Sequence, residues 1–316
     1  MKSLSVVVPV FNEEKNIPVL YSELMPVLAK TRYNYELIFV DDGSRDGTFV
    51  ELEKLHRADS SVKVIRFARN FGQTAAMSAG FSNASGDIII TMDGDLQNDP
   101  KDIPALLAKV DEGFDVVSGW RYSRKDPVLT KVLPSLFSNF LARVLTGVDI
   151  HDYGCSLKAY TRRSLQGIKL YGEMHRYIPA IVAMGGFSVA EVKVNHRKRS
   201  FGRSKYNLSR LMKGLLDLLY IKFWTTYGTR PLHLFGLLGI LQYFFSFVIF
   251  VEQVIKAFVI KELNIGPLLL LSVLLMITGT LFILFGFLGE IMIRTYYASA
   301  GEPYVVDKSL GVHLKQ

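Results

Sequence analysis

Two stretches near the carboxyl end, Leu232–Val251 and Gly266–Gly289, hold 20 and 24 consecutive residues without a charged side chain. Roughly 20 apolar residues cross the hydrocarbon layer of a bilayer as a helix. Inside that layer every backbone N–H and C=O must find its partner within the protein, which a single segment achieves as a helix. The pair therefore reads as a two-span hairpin. Arg230 lies just before the first span, and Glu290 and Arg294 just after the second. The connection, Glu252–Ile265, balances Glu252 and Glu262 against Lys256 and Lys261. The net charge of +8 over 316 residues, with a pI near 9.3, thus resides in the large N-terminal part and the tail. Basic segments favour the cytoplasmic face, so both are expected there. The mean hydropathy of +0.23 agrees with a chain that enters a membrane. The single cysteine, Cys155, allows no intrachain disulfide and fits a reducing compartment. No secretory signal is expected at the start, where Lys2 is followed only by the short apolar run Val6–Val10. The six histidines show no HExxH spacing, and no zinc site is expected.

Ahead of the hairpin, apolar β-branched runs alternate with helical patterns. Strands are predicted at Leu4–Val10, Tyr35–Val40, Val62–Phe67, Asp87–Met92, Asp115–Gly119 and Phe187–Val194. Helices are predicted from near Glu13 to Lys30 (with Pro18 and Pro26 inside), at Thr48–Ala58, Gln73–Ala84, Ile103–Glu112 and Leu129–Leu145. The alternation predicts an α/β fold with a parallel, doubly wound sheet, whose ligands sit beyond the carboxyl ends of the strands. Leu208–Tyr227 repeats Leu208, Leu211, Leu215, Leu218, Leu219 and Phe223 at helical spacing, with cations and Trp224 alongside. It reads as a helix lying in the membrane interface. The expected division is residues 1–206 as a cytoplasmic domain, 207–230 as the interfacial helix, 231–293 as the two spans and 294–316 as a cytoplasmic tail.

Acidic residues collect at the carboxyl ends of three predicted strands: Glu13, then Asp41 and Asp42, then Asp93 and Asp95. Such an edge reads as ordinary solvated turns, in which Asp and Gly are common, or as a site for a metal–phosphate or a base and ribose; two carboxylates at i and i+2 repel unless a cation sits between them, and hard oxygen ligands suit Mg²⁺ or Mn²⁺ shared with substrate phosphates. Gly94 permits the turn that aims both at one volume. Neither GxGxxG nor GxxxxGK[ST] occurs, so no dinucleotide fingerprint or P-loop supports the site. Downstream, Arg197, Lys198, Arg199, Arg203 and Lys205 fall within nine residues with Gly202, Ser200 and Ser204 between them. This reads as a solvated basic loop or a phosphate-binding loop. Aromatic interleaving is limited to Phe201 and Tyr206, which argues against nucleic acid.

Val8-Pro9-Val10-Phe11-Asn12-Glu13, Val40-Asp41-Asp42-Gly43-Ser44 and Asp93-Gly94-Asp95-Leu96-Gln97 together resemble the family 2 glycosyltransferases. These have the GT-A fold, a Rossmann-like nucleotide-sugar-binding domain. Asp152-Tyr153-Gly154-Cys155, Gly202-Arg203-Ser204-Lys205-Tyr206 and Leu288-Gly289-Glu290 resemble the subgroup that acts on polyprenyl phosphates, most closely the undecaprenyl-phosphate aminoarabinose type. The likeness runs from Leu4 to about Val306 and implies a GT-A domain followed by interfacial helices and a transmembrane hairpin. It implies inverting transfer of a sugar from a nucleotide-sugar, UDP-linked by preference, to undecaprenyl phosphate. It further implies a multi-pass protein of the cytoplasmic membrane with its catalytic domain facing the cytoplasm, and, since relatives form tetramers, a homotetramer. By the same resemblance Pro9, Phe11, Glu13 and Asp42 would line the nucleotide. Asp93 and Asp95 would hold the metal, with Asp95 the direct ligand and Gln97 close by. Arg121 would meet a phosphate, Arg199 and Lys205 would hold the lipid phosphate or the leaving diphosphate, and Asp152 would be the nearest substitute for the carboxylate that some relatives carry where Cys155 stands. The family often has Ala where Gly94 stands, and glycine there is expected to loosen the turn. The rivals are a GDP-mannose-dependent dolichol-phosphate mannose synthase, a processive polysaccharide synthase, which would carry a QxxRW motif absent here, and a membrane scaffold or flippase without activity.

Overall fold

The computed structural model describes residues 2–122, 133–168, 170, 172–198, 209–228, 230–260 and 266–300. The chain divides into two compact units, Met1–Ile221 and Lys222–Gln316.

In the first unit the predicted elements form with boundaries shifted by a few residues: β1 Ser3–Val10, α1 Asn16–Ala29, β2 Asn34–Asp41, α2 Thr48–Ala58, β3 Val62–Arg66, α3 Gln73–Asn83, β4 Ile88–Thr91, α4 Ile103–Asp111, β5 Val116–Arg121 and α5 Leu133–Thr146. They are followed by β6 Lys158–Thr161, α6 Arg162–Leu165, α7 Ile178–Met184 and β7 Val189–Val194. The first helix begins at Asn16 rather than Glu13 and carries Pro26 inside it. The sheet order is β3-β2-β1-β4-β6-β5-β7.

The all-parallel expectation is corrected at one strand. β6 runs antiparallel to both β4 and β5, whereas β1, β2, β3 and β4 pair in parallel, as do β5 and β7. The cause is where the chain re-enters the sheet. Lys158, the first residue of β6, pairs with Thr91, the last of β4. The strand therefore starts at the carboxyl edge and can only run backwards. Four residues of mixed polarity, Lys-Ala-Tyr-Thr, left too little periodicity to mark it in the sequence. Its consequence is functional: the segment Asp152–Leu157 is delivered to the same edge as the acidic strand ends.

The sheet core explains the continuous apolar runs. Val6, Val7 and Val8 are all fully buried because helices cover both faces of β1. Val6 and Val8 join Leu20 and Leu24 of α1 and Leu106 of α4, whereas Val7 faces Ala76 of α3. Pro9 lies in β1 beyond the last pairing with β4, Val7 with Thr91. There its missing N–H interrupts no ladder with that strand.

A smaller core joins Ala142 of α5, Tyr153, Met174, Tyr177 and Ala180 to Leu218 and Ile221 of α8, Ser209–Tyr227. Leu218 was expected on the outward, lipid-facing stripe and instead is buried at 1% exposure. A helix in contact with a protein on one side needs two apolar faces, and the spacing rule cannot tell which is which. The outward face of α8 carries Leu216, Leu219 and Tyr220, and α5 exposes Leu136, Phe140 and Val144 at i, i+4 and i+8.

In the second unit, α9 (Pro231–Ile260) and α10 (Pro267–Ala300) contain two segments of 29 residues, Pro231–Val259 and Pro267–Thr295, long and apolar enough to cross a membrane. They pack on each other closely. A Cβ on Gly239 would lie 2.7 Å from the Gly279 carbonyl oxygen, and Ser246 Oγ donates to the Ser272 carbonyl at 2.6 Å. Small residues and interhelical hydrogen bonds are what hold helices together where the solvent is lipid.

Candidate active site

The acidic tip begins where β4 ends. Asp95 is buried at 6% exposure, and its Oδ1 accepts from the Gln97 N–H at 3.1 Å. Leu96, between them, has φ +64°, a conformation costly for a residue with a Cβ and characteristic of strained functional turns. Asn98 holds the turn from below: its Oδ1 accepts from the Asp93 N–H at 3.1 Å and from Ser156 Oγ at 2.8 Å. Asp93 Oδ1 accepts from Gln73 Nε2 at 2.7 Å. Burial, then repulsion from Asp95, push the Asp93 carboxyl above its ordinary range. A cation between the two would relieve both effects. Among the described residues no group of three or more His, Cys, Asp or Glu side chains could hold a metal by itself. Two carboxylates that leave the remaining positions to substrate oxygens match how Mg²⁺ is usually held, so the residues present fit such an ion.

Gly94 has a different role from the one expected. A Cβ there would lie 2.7 Å from Val10 Cγ1, so glycine lets the acidic turn press against the end of β1 rather than loosening it.

Beside the tip, a cavity of about 500 Å³ opens at the ends of β1, β2 and β3. It is lined by Phe11, Gly43–Arg45 and Arg66–Asn70. Its three arginines, Arg45, Arg66 and Arg69, escaped sequence reasoning because they are scattered singly. Only the sheet order brings them together. The floor is built by hydrogen bonds. Asp42 is buried, and its carboxylate accepts from Asn70 Nδ2 (2.7 Å) and from the backbone N–H of Phe71 (2.6 Å) and Gly72 (2.9 Å). Glu13 receives a hydrogen bond from Asn16 at the start of α1, and its N–H donates to Thr48 Oγ1 at 2.8 Å. Of the four expected nucleotide-lining residues, the structure places Phe11 on the cavity wall and Pro9 in β1. Asp42 and Glu13 shape the loops around it.

Arg121 and Asp152, both expected to act on substrate, are bound to one another. Arg121 Nε and Nη2 donate to the two Asp152 oxygens at 2.7 and 2.9 Å, and the Arg121 N–H adds a third bond at 3.3 Å. Burial works against the guanidinium charge, yet attraction to Asp152 outweighs it and raises the Arg121 pKa. Close by, Lys158 is buried with its ammonium on the carbonyls of Tyr153 and Cys155, and burial lowers its pKa. Burial pushes the Cys155 thiol up to about 11, which leaves it an inert packing group.

The basic segment starts at this tip. The Arg197 N–H donates to the Gln97 carbonyl at 2.9 Å, Asn98 and His196 form a β-bridge, and the Gln97 amide meets His196 Nε2 at 3.3 Å. Arg197 itself is committed to Asp99 at 2.7 Å and Glu23 at 2.5 Å, so it anchors the segment. Arg199, Arg203 and Lys205 lie outside the described residues, as does the tail beyond residue 300.

Residues 5–168 match the model of the family described as glycosyl transferase family 2. The chain is 41% identical over 309 residues to a dodecaprenyl-phosphate galacturonate synthase of Rhizobium johnstonii, covering 96% of this chain and 91% of that one. It is 36% identical over 299 residues to an undecaprenyl-phosphate 4-deoxy-4-formamido-L-arabinose transferase of Klebsiella pneumoniae, covering 94% and 90%. Among solved structures, glucosyl-3-phosphoglycerate synthase of Mycobacterium tuberculosis with Mn²⁺ and UDP-glucose superposes with a TM-score of 0.55 at 22% identity, over 70% of this chain and 79% of that one. At that identity the likeness is one of fold.

Proposed function

The chain belongs to glycosyl transferase family 2, and we propose that this glycosyltransferase moves a sugar from a nucleotide-sugar, UDP-linked by preference, to a polyprenyl phosphate in the cytoplasmic leaflet of the membrane. The relatives named for dodecaprenyl- and undecaprenyl-phosphate products support the acceptor class. The observation that carries the reading is the tie between Arg197 and Gln97: it roots the basic segment on the turn that bears Asp93 and Asp95. Two anionic reactants can then meet between fixed carboxylates with their cation and a set of Lys and Arg side chains.

The acceptor chemistry asks little of a base. A phosphate monoester has a second pKa near 6 and is mostly dianionic at neutral pH, so its oxygen is already a nucleophile. The demand is on charge. A divalent cation, Mg²⁺ or Mn²⁺, would neutralise the donor diphosphate and ease its departure when bound. Asp95 and Asp93 would hold it, with Gln73 orienting Asp93. Phe11 and the arginines of the cavity would take the nucleoside diphosphate, and Arg199 and Lys205 would screen the acceptor phosphate. Lys158 holds the Tyr153 and Cys155 carbonyls and so keeps the Asp152 segment against the tip. Inversion at the anomeric carbon would give a β-linked product from an α-linked donor. The exposed apolar rows of α5 and α8 suit an interfacial position, and α9 and α10 would span the membrane. The extent of the cytoplasmic domain to residue 206 and a homotetramer belong to the same reading.

The test is turnover by the purified protein with undecaprenyl phosphate and a panel of UDP- and GDP-sugars, with and without Mn²⁺. Metal-dependent formation of a single-sugar lipid is expected. A polymeric product, or no turnover with any donor while UDP fails to raise the melting temperature, would refute it.

A further inference from the structure

The segment 172–179, GEMHRYIP, takes no part in the chemistry above, yet Gly172 and Glu173 join the start of α3 to α8. Gln73, which donates to Asp93, is the first residue of α3. Its neighbour Thr74 is buried, and the Thr74 hydroxyl donates to the Gly172 carbonyl at 2.6 Å and meets His175 Nδ1 at 2.7 Å. The same turn is held from its other side by α8: the Glu173 N–H donates to Asp217 Oδ2 at 2.9 Å. Gly172 has φ +54°, and a Cβ on it would lie 2.9 Å from Asp217 Oδ1, so both backbone and space there are fitted to this carboxylate. On the opposite side the approach to α3 is held by Asp42, whose carboxylate accepts from the Phe71 N–H and from the N–H of Gly72, at φ +98°. The first turn of α3 is thus held between Asp42 and the Gly172–Glu173 turn. The Gln73 side chain that donates to Asp93 leaves from this same turn.

We propose that Asp217 is a positioning residue for the transfer reaction: through the Gly172–Glu173 turn and Thr74 it sets Gln73 on the metal-holding carboxylate of Asp93. The proposal rests on the cation role given to Asp93 above. Asp217 lies on α8, so the same contact ties the start of α3, and with it Gln73, to that helix.

The experiment is calorimetric titration of Mn²⁺ into the full-length protein saturated with UDP, together with donor KM and kcat. Loss of a hydrogen bond behind a metal ligand typically weakens metal binding about 10- to 100-fold. Gln73→Ala is expected at about tenfold, and Asp217→Ala, two contacts further away, at roughly three- to tenfold. The double variant should be no weaker than Gln73→Ala alone, because both act on one contact. Thr74→Val, which keeps shape and leaves α8 anchored, should reproduce the Asp217→Ala effect and covers the case in which Asp217→Ala does not fold. Asp217→Glu should restore part of the affinity. Native Mn²⁺ affinity in a folded Asp217→Ala or Thr74→Val protein, or additive losses in the double variant, would overturn the relay. Absence of Mn²⁺ and UDP binding in the wild-type protein would instead overturn the proposed function.

Discussion

Replacing Asp152 by Asn separates a structural ion pair from a proton acceptor. The Arg121 and Asp152 side chains are 14% and 4% exposed and joined by two short charge-assisted hydrogen bonds. Removing one partner of such a pair leaves the other charge buried without compensation, which costs about 3–5 kcal/mol. Replacing both by neutral groups of similar size is often close to neutral. Asp152→Asn should therefore lower stability by about 3–5 kcal/mol, which in a unit of this size is a fall in Tm on the order of 10 °C. Arg121→Gln should do at least as much, since it also takes a cation away from Asp93. Asp152→Asn combined with Arg121→Gln should recover at least about 2 kcal/mol relative to the sum of the singles. The assay is thermal unfolding in detergent alongside turnover on each variant. A general base predicts the opposite pattern: native Tm, lost turnover, and no recovery in the double variant. An Asp152→Asn protein that melts within about 2 °C of wild type and is inactive would refute the structural account.

Asp95→Ala should cut turnover by at least about a thousandfold with an unchanged melting temperature, measured with saturating Mn²⁺; turnover within tenfold of wild type would remove Asp95 from the site. Gly94→Ala should destabilise by about 1–3 kcal/mol through its clash with Val10, and Val10→Ala should cost less in that background than in the native one; simple additivity in thermal unfolding would disprove the contact. Glu36 gives a pH signature. Burial alone would raise its pKa, but Lys63, Ser5 and Ser85 hold the carboxylate and bring it from 4.5 down to about 2. A group depressed on folding stabilises the protein above its unfolded pKa, and this contribution disappears as pH falls from 4.5 toward 2. Glu36→Gln should flatten the loss of Tm across that acid range; an identical pH profile would show that the carboxylate is not the cause.

The hairpin, the α/β alternation and the acidic strand ends are legible in the amino-acid sequence, because each is a local pattern. Uncharged runs of 20 residues and strands covered on both faces announce themselves by composition. Tertiary structure decided what depends on direction and proximity. The antiparallel β6 follows from where the chain re-enters the sheet, and it alone brings Ser156 and Lys158 to the edge that carries Asp93. The grouping of Arg45, Arg66 and Arg69 around one cavity exists only once β1, β2 and β3 are adjacent. The charges of Arg121 and Asp152 could be read as catalytic in the sequence, since a side chain's partner cannot be seen there. Burial set them against each other, because a charge withdrawn from water and left without a partner costs several kcal/mol, on the order of 3–5. The division of α8 into an inward Leu218 and an outward Leu219 has the same origin: helical spacing gives an apolar face, and only the neighbouring core says which residues it covers.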